Sequence, residues 1–194
     1  MQTDGQLKKE YEDIGKKHRN ALLRISARSV LGSSVIRVFN VESKSILLNS
    51  LEKINVDDLL RLKDEADYKA WFENNLSNLS QEINKTNPQN TNIYPGYKWG
   101  HATKILNLYI REVVEYKRYF TESEAAKIRK WLYVPIDSQV MKKIRALGYT
   151  LPFNKIKDID TAKKFYGVQD LLGRAASAVN VPRIWFDDVW ADRD

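Results

Sequence analysis

The sequence predicts an all-α protein that folds as a two-lobed bundle of helices. Apolar residues recur at the i, i+3, i+4 spacing of helices in several long stretches. Residues that cap helices precede these stretches, and glycine or proline follows several of them. In addition, no stretch alternates apolar and polar residues for long enough to require a sheet. The apolar fraction of 43% is that of an ordinary folded domain.

The first half of the chain predicts two long helices. The first covers about residues 6–28, where apolar side chains alternate with Lys and Arg at helical spacing. Gly32 favours a break, and Val35–Phe39 is then read as a short apolar helix or a buried turn. A second long helix opens at Asp64 and continues through Ile83 with one apolar face.

The second half of the sequence predicts five helices. One runs from about Trp99 to Tyr119, and the next begins with a capping box formed by Thr121 and Glu124 and ends near Trp131. Because Pro135 disfavours helix in the residue before it, Tyr133–Ile136 is expected to be extended. Three further helices are predicted. The first starts at Asp137 and ends at Gly148, the second starts at Asp160 and ends near Val179, and the third starts near Pro182.

Residues 86–97 are the clearest loop in the sequence, with two prolines, a glycine and several asparagines. We expect residues 1–194 to form a single compact helical unit in which this loop joins lobes 1–85 and 98–194.

Composition excludes several classes of site. The chain has no cysteine and only two histidines, His18 and His101, which rules out disulfides and zinc–thiolate or cysteine-ligated iron–sulfur sites. We therefore expect neither a metal nor a cofactor. The first residues show no apolar stretch of a signal peptide, and no run has the length of a membrane span, so we expect a cytoplasmic protein without a membrane partner.

The positive charge is unevenly distributed. The net charge is +7, and residues 1–39, 98–118 and 127–145 contribute +4, +3 and +5, whereas residues 40–97 contribute −3. Clustered cations bind polyanions through counterion release. A nucleic acid is thus the expected partner. Two alternatives explain the same distribution of charge: a basic surface that contacts only solvent, or a basic face that binds an acidic protein.

Two segments carry residues suited to chemistry. Residues 94–107 read YPGYKWGHATKILN, in which a glycine-flanked turn opens directly into an apolar helix that contains one lysine, Lys104. Residues 134–140 read VPIDSQV, in which Asp137 follows an extended proline segment and starts a helix.

These two segments resemble the helix-hairpin-helix DNA glycosylases. That family has a glycine-rich hairpin leading into a helix with a nucleophilic lysine, followed by an extended Val-Pro-(Val/Ile)-Asp-(Thr/Ser)-x-Val stretch that residues 134–140 match closely. Lys104 and Asp137 are 33 residues apart, a spacing similar to that of the archaeal 8-oxoguanine glycosylases, with the helix at 121–131 as the inserted element. The resemblance covers about residues 94–147, and in this chain Tyr97-Lys98-Trp99 stands between the two hairpin glycines.

The resemblance implies a DNA glycosylase with AP-lyase activity that excises a damaged or modified base, with 8-oxoguanine as the first candidate. Lys104 would be the nucleophile and Asp137 the catalytic carboxylate. Duplex DNA with a modified base would be the partner. Lysine suits this chemistry because burial or neighbouring cations favour its neutral form, and Lys98, Arg111 and Lys142 are candidate neighbours.

Further residues are candidates for binding DNA. A flipped base usually rests on an aromatic ring, and the candidate platforms are Trp71, Trp99, Trp131 and Trp185. The candidates for contact with the DNA backbone or the hairpin region are Lys98, Trp99, Gly100, His101, Arg111, Lys127, Lys130, Ser138 and Lys142.

Each assignment has a structural alternative. Asp137 is a good helix N-cap even without a function, and Lys104 at the edge of its apolar stripe is equally suited to a phosphate contact or an ion pair. Trp71 and Trp185 are residues that often serve packing alone. The same scaffold without chemistry would be a helical DNA- or RNA-binding protein or a partner-binding protein of a defence system.

Overall fold

The computed structural model describes residues 4–32, 43–86 and 97–191, and within these ranges the chain is helical with no strand. The helices are α1 (Asp4–Leu31), α2 (Ser43–Glu52), α3 (Glu65–Thr86), α4 (Tyr97–Arg111), α5 (Glu122–Arg129), α6 (Ser138–Ala146), α7 (Ala162–Ala178) and α8 (Trp185–Ala191). Two 3₁₀ turns, Val56–Arg61 and Ile156–Asp158, and a π-helical turn, Glu112–Tyr116, complete the order. The predicted all-α class is confirmed.

Helix α4 lies at the centre of the packing. The apolar stripe predicted for it, Ala102, Ile105, Leu106 and Tyr109, is fully buried. The helix packs against α1, α3 and the turn Ile156–Asp158. Burial of side chains this size contributes about 1.5–3 kcal/mol for each large residue, so the position of α4 is strongly determined.

An aromatic cluster joins α3, the extended segment 132–136 and α7. Tyr133 lies at the centre, with its ring centroid 5.1 Å from that of Tyr68, 5.2 Å from Phe72 and 5.5 Å from Phe165. Ring separations of this kind stabilise a core beyond the effect of area alone. The cluster fixes the segment that leads into Asp137.

The capping residues and helix-ending residues that the sequence predicts around α5 and α6 are confirmed. The Thr121 hydroxyl and Glu124 carboxylate form the predicted capping box at the start of α5. Residues 132–136 are outside any helix, as Pro135 predicts. Gly148 follows the end of α6 with φ +87°, a left-handed conformation that favours glycine.

Several predicted helix ends are corrected. The helix expected to run to Tyr119 ends as α4 at Arg111, continues through the π turn, and stops because Arg118 takes a left-handed φ of 51°. Helix α5 ends at Arg129 rather than Trp131.

The two C-terminal helices also begin later than predicted. Thr161, rather than Asp160, caps α7, because its hydroxyl accepts from the Lys164 N–H while the Asp160 carboxylate pairs with Lys164 Nζ at 2.8 Å. Helix α8 begins at Trp185, so Pro182 lies before it.

Two predictions concern parts of the chain outside the described residues. Val35–Phe39 and most of the loop 86–97 fall there, and the division into lobes 1–85 and 98–194 stays a prediction. In the described ranges the buried apolar side chains form one core cluster that runs from α1 to α7 and includes Ile184. None of the described helices combines the length and apolar character needed to cross a bilayer.

Candidate active site

Lys104 and Asp137 meet in the structure. Lys104 projects from the middle of α4, and its Nζ lies 3.4 Å from Oδ2 of Asp137 at the start of α6. The side chains are 11% and 29% exposed, so the lysine is largely withdrawn from solvent and the carboxylate is accessible from one side. Lys104 therefore does not lie on an open solvated surface.

Asp137 uses its two oxygens for different contacts. Oδ1 accepts hydrogen bonds from the backbone N–H groups of Gln139 at 2.9 Å and Val140 at 3.0 Å, which caps α6. Oδ2 is thereby turned toward Lys104. The cap fixes the orientation of the carboxylate, so the structural and chemical roles of Asp137 are compatible.

The segment before Asp137 is held by one buried side chain. Gln169 on α7 donates from Nε2 to the Val134 carbonyl and accepts at Oε1 from the Val134 N–H, both at 2.9 Å. This amide replaces the partner that a neighbouring strand would supply to an extended backbone. Since Gln169 is fully buried, it ties the approach to Asp137 to the protein core.

A second carboxylate lies close to this pair. Asp187 on α8 is only 7% exposed, and α8 packs against α6. Burial raises the pKa of Asp187 to about 6, with Asp137 and Asp188 acting in the same direction and Arg111 and Lys104 opposing it. The groups near the candidate lysine thus include two carboxylates in different environments.

Arg111 connects α4 to α8. It follows Lys104 by seven residues and therefore lies on the same face of the helix. Its guanidinium pairs with both Asp187 and Asp188, and the Tyr116 hydroxyl donates to Asp188 at 2.6 Å. Carboxylates occupy the guanidinium, and the Arg111 side chain is 13% exposed, so a contact between Arg111 and DNA would require this pairing to open. Arg111 and Lys104 both act on Asp187, so Arg111 stays a candidate cationic neighbour of Lys104.

The arrangement is suited to covalent chemistry by an amine. It combines a largely buried primary amine, a fixed carboxylate in contact with it, and a second, buried carboxylate whose charge acts on both. In the described part of the chain no group of three or more His, Asp or Glu side chains is arranged to hold a metal ion. Comparison of the chain with protein-family models, curated proteins and solved structures found no match.

Two of the predicted residues at the start of α4, Gly100 and His101, lie against the segment that contains Ile156. Gly100 is buried there, and an added Cβ would lie 2.1 Å from the Ile156 carbonyl oxygen. His101 is buried one turn before Lys104. Trp99 is partly buried, with its ring centroid 5.7 Å from that of Phe165, and the side chain of Lys98 lies outside the described residues.

The other predicted base platforms differ in exposure. Trp71 is partly buried and stacks on Tyr68 at 6.2 Å, and Trp131 is partly buried with Lys127 Nζ 5.9 Å from its ring centroid. Trp185 is 42% exposed. Of the four candidates, including Trp99, Trp185 presents the most accessible ring, and it lies on the same helix as Asp187.

The predicted cations are mostly on the surface. Lys130 and Lys142 are exposed, as is the side chain of Ser138. Lys127 donates to the Leu60 carbonyl at 3.2 Å, so it also contacts the protein itself.

Sequence reasoning did not single out Asp187. The available signal was a pair of acidic residues, Asp187-Asp188, inside the otherwise apolar and aromatic stretch 184–190. Carboxylates are seldom buried without a partner, so such a pair on an apolar helix indicates a buried contact. The partner, Arg111, is 76 residues away and has no local signature.

Proposed function

We propose that this protein is a DNA N-glycosylase of the helix-hairpin-helix type, with AP-lyase activity toward a damaged or modified base. The observation that carries the proposal is the contact between Lys104 Nζ and Asp137 Oδ2, which joins the two residues that the motifs single out across 33 positions of sequence. A lysine and an aspartate in contact below the surface are the groups that this reaction requires.

The local architecture supports the same proposal. Lys104 is on a helix, Asp137 is an N-cap, and an extended proline segment precedes it. These are the elements that the resemblance implies around the reacting groups. The all-helical fold is consistent with that type of scaffold.

The reaction can be written on these side chains. Lys104, after giving a proton to a carboxylate, attacks C1′ of the target nucleoside with its nitrogen lone pair. The bond from C1′ to the base breaks, and the base leaves with that electron pair and takes up a proton. The nitrogen, after losing a proton, expels O4′, which takes up a proton, and a Schiff base forms on Lys104. A carboxylate then removes a proton from C2′, and the C3′–O bond breaks as the 3′ phosphate leaves with its electron pair.

Asp137 and Asp187 have different parts in this scheme. Asp137, fixed by its cap, faces the cationic character that develops on the sugar and stabilises it electrostatically. Asp187, whose carboxylate pairs with Arg111 and whose pKa is raised by burial to about 6, acts on Lys104 and Asp137 through its charge.

Charge supports DNA as the substrate. The chain carries a net charge of +7, and the exposed Lys130 and Lys142 flank the segment that leads into and follows Asp137. Exposed cations beside a reacting pair attract the phosphates of a strand and hold it in register.

The experiment is reductive trapping on duplex oligonucleotides that carry either an abasic site or 8-oxoguanine. Borohydride reduces a Schiff base to a stable amine, so the proposal predicts a covalent protein–DNA band that Lys104→Gln abolishes. A band on the abasic duplex alone shows lyase activity, and a band on the 8-oxoguanine duplex shows base excision as well. Lys53→Gln, which changes an exposed lysine after α2, is the matched control and should trap like the wild type.

The outcomes separate the alternatives. Loss of the band in Lys104→Gln but not in Lys53→Gln supports the assignment. Strong, salt-dependent DNA binding with no band on either duplex would contradict a lyase and leave a non-catalytic helical DNA-binding protein. Absence of any DNA binding would leave Lys104–Asp137 as an ion pair that ties α4 to α6.

A further inference from the structure

A second site lies beside the candidate active site. A cavity of about 360 Å³ opens between His101 on α4, Ser138 and Met141 on α6, and residues 154–157. His101 precedes Lys104 by one helical turn, and Ser138 directly follows Asp137. Pockets for small ligands have volumes of roughly 300–1,000 Å³, so this cavity is large enough for one.

The outer wall of the cavity is held in place from three sides. The close approach of Gly100 to the Ile156 carbonyl leaves no room for a side chain between α4 and this wall. The Asp158 carboxylate accepts from the N–H groups of Asn154 at 3.2 Å and Lys155 at 2.9 Å. Arg145 on α6 donates to Asn154 Oδ1 at 3.0 Å. A wall fixed in this way is preorganised, which reduces the entropy lost when a ligand binds.

The lining combines three kinds of group. Met141 and Ile156 supply apolar surface, and Ser138 and Asn154 supply hydrogen-bonding side chains. Lys155 and Lys157 add two cations, while the acid of the same segment, Asp158, is engaged by backbone N–H groups.

We propose that this cavity binds one nucleotide of the DNA strand that carries the target base. The phosphate lies against Lys155 and Lys157, and the sugar and base lie on Ile156 and Met141. This inference rests on the proposed function, because that function identifies the DNA strand with the target base as the ligand. It adds a site, built largely by residues 154–157, that holds the strand beside Lys104 and Asp137.

The first test measures how salt weakens binding to an abasic-site duplex. Each phosphate contact contributes about 0.9 to the slope of log K against log salt for duplex DNA. We expect Lys155→Gln and Lys157→Gln each to reduce the slope by about 1. Lys163→Gln, an exposed lysine at the start of α7, is the charge-matched control and should keep the wild-type slope. Wild-type slopes in both variants would overturn the site.

The second test uses mononucleotide probes and amide chemical shifts by NMR. Deoxyguanosine 5′-monophosphate should shift the amides of Ser138, Asn154 and Lys155, and inorganic phosphate or deoxyguanosine should do so only at higher concentration. Equal affinity for inorganic phosphate would show an anion site and contradict the nucleotide site. Shifts confined to other residues would contradict it as well.

These tests separate the failure of this site from the failure of the proposed function. If reductive trapping fails while the slopes and shifts change as expected, the nucleotide site stands and the glycosylase assignment falls. If trapping depends on Lys104 but the slopes and shifts do not respond, the glycosylase assignment stands and the nucleotide site is overturned.

Discussion

Gly100 and Ile156 approach each other so closely that a Cβ on Gly100 would lie 2.1 Å from the Ile156 carbonyl oxygen. The contact presses the first turn of α4 against the 3₁₀ turn Ile156–Asp158. Both elements border the candidate site: α4 carries Lys104, and the turn belongs to the wall of the neighbouring cavity. Glycine is required at this position by space rather than by backbone conformation.

Gly100→Ala should therefore destabilise the protein by about 1–3 kcal/mol, since backbone atoms have to move to admit the methyl group. Denaturant unfolding measures the change. Gly167→Ala is the matched control, because nothing lies within 4 Å of its added Cβ and alanine favours helix α7. Equal stability of the two variants would contradict the close packing of α4 on Ile156.

Removal of the Gln169 amide should also weaken the fold. In Gln169→Leu, the buried N–H and carbonyl of Val134 lose their partners, and each unpaired group costs about 1–3 kcal/mol. We expect a loss of about 2–4 kcal/mol in the free energy of unfolding, together with weaker trapping because Asp137 follows this segment. Gln139→Leu, on the exposed side of α6, should change stability by no more than about 0.5 kcal/mol.

Asp137 can be tested separately as a cap and as a reacting group. Asparagine caps helices well, so Asp137→Asn should be more stable than Asp137→Ala by about 1 kcal/mol. Both variants lose the carboxylate that faces Lys104, and both should lose trapping by the same factor. Trapping that follows the stability order of the two variants instead would indicate that Asp137 acts only through the fold.

Asp187 should make stability depend on pH in a defined direction. Burial raises its folded pKa from 3.8 to about 6, so the stability linked to its protonated form is present below pH 4 and is lost as pH rises through 6. The shift of about two units corresponds to an effect of about 3 kcal/mol. Unfolding measured from pH 4 to 8 should show this loss in the wild type, and Asp187→Asn should remove it. An unchanged pH profile in that variant would show that Asp187 is not the group responsible.

The local features of the fold were accessible from sequence. The capping box at Thr121, the cap at Asp137 and the left-handed Gly148 each depend on a few neighbouring residues, and all three are confirmed. The start of α7 was misplaced by one residue because Thr161 and Asp160 are both capping residue types. In the structure the hydroxyl of Thr161 caps the helix, and the Asp160 carboxylate pairs with Lys164.

Contacts between residues that are far apart in the sequence were harder to predict. The resemblance of two motifs names Lys104 and Asp137, but their contact at 3.4 Å depends on how α4 and α6 pack and is visible only in the structure. The sequence offers Arg111 as a DNA contact because an isolated arginine gives no indication of which residue it pairs with. Its partners lie on α8, and only the tertiary packing brings α8 to α4 and α6.

The most direct test of the account is to identify the lysine that becomes attached to DNA. After borohydride trapping on an abasic-site duplex and digestion of the complex, mass spectrometry locates the modified residue. We predict that the adduct is on Lys104, the lysine in contact with Asp137. An adduct on another lysine or on the N-terminal amine, with Lys104 unmodified, would contradict it.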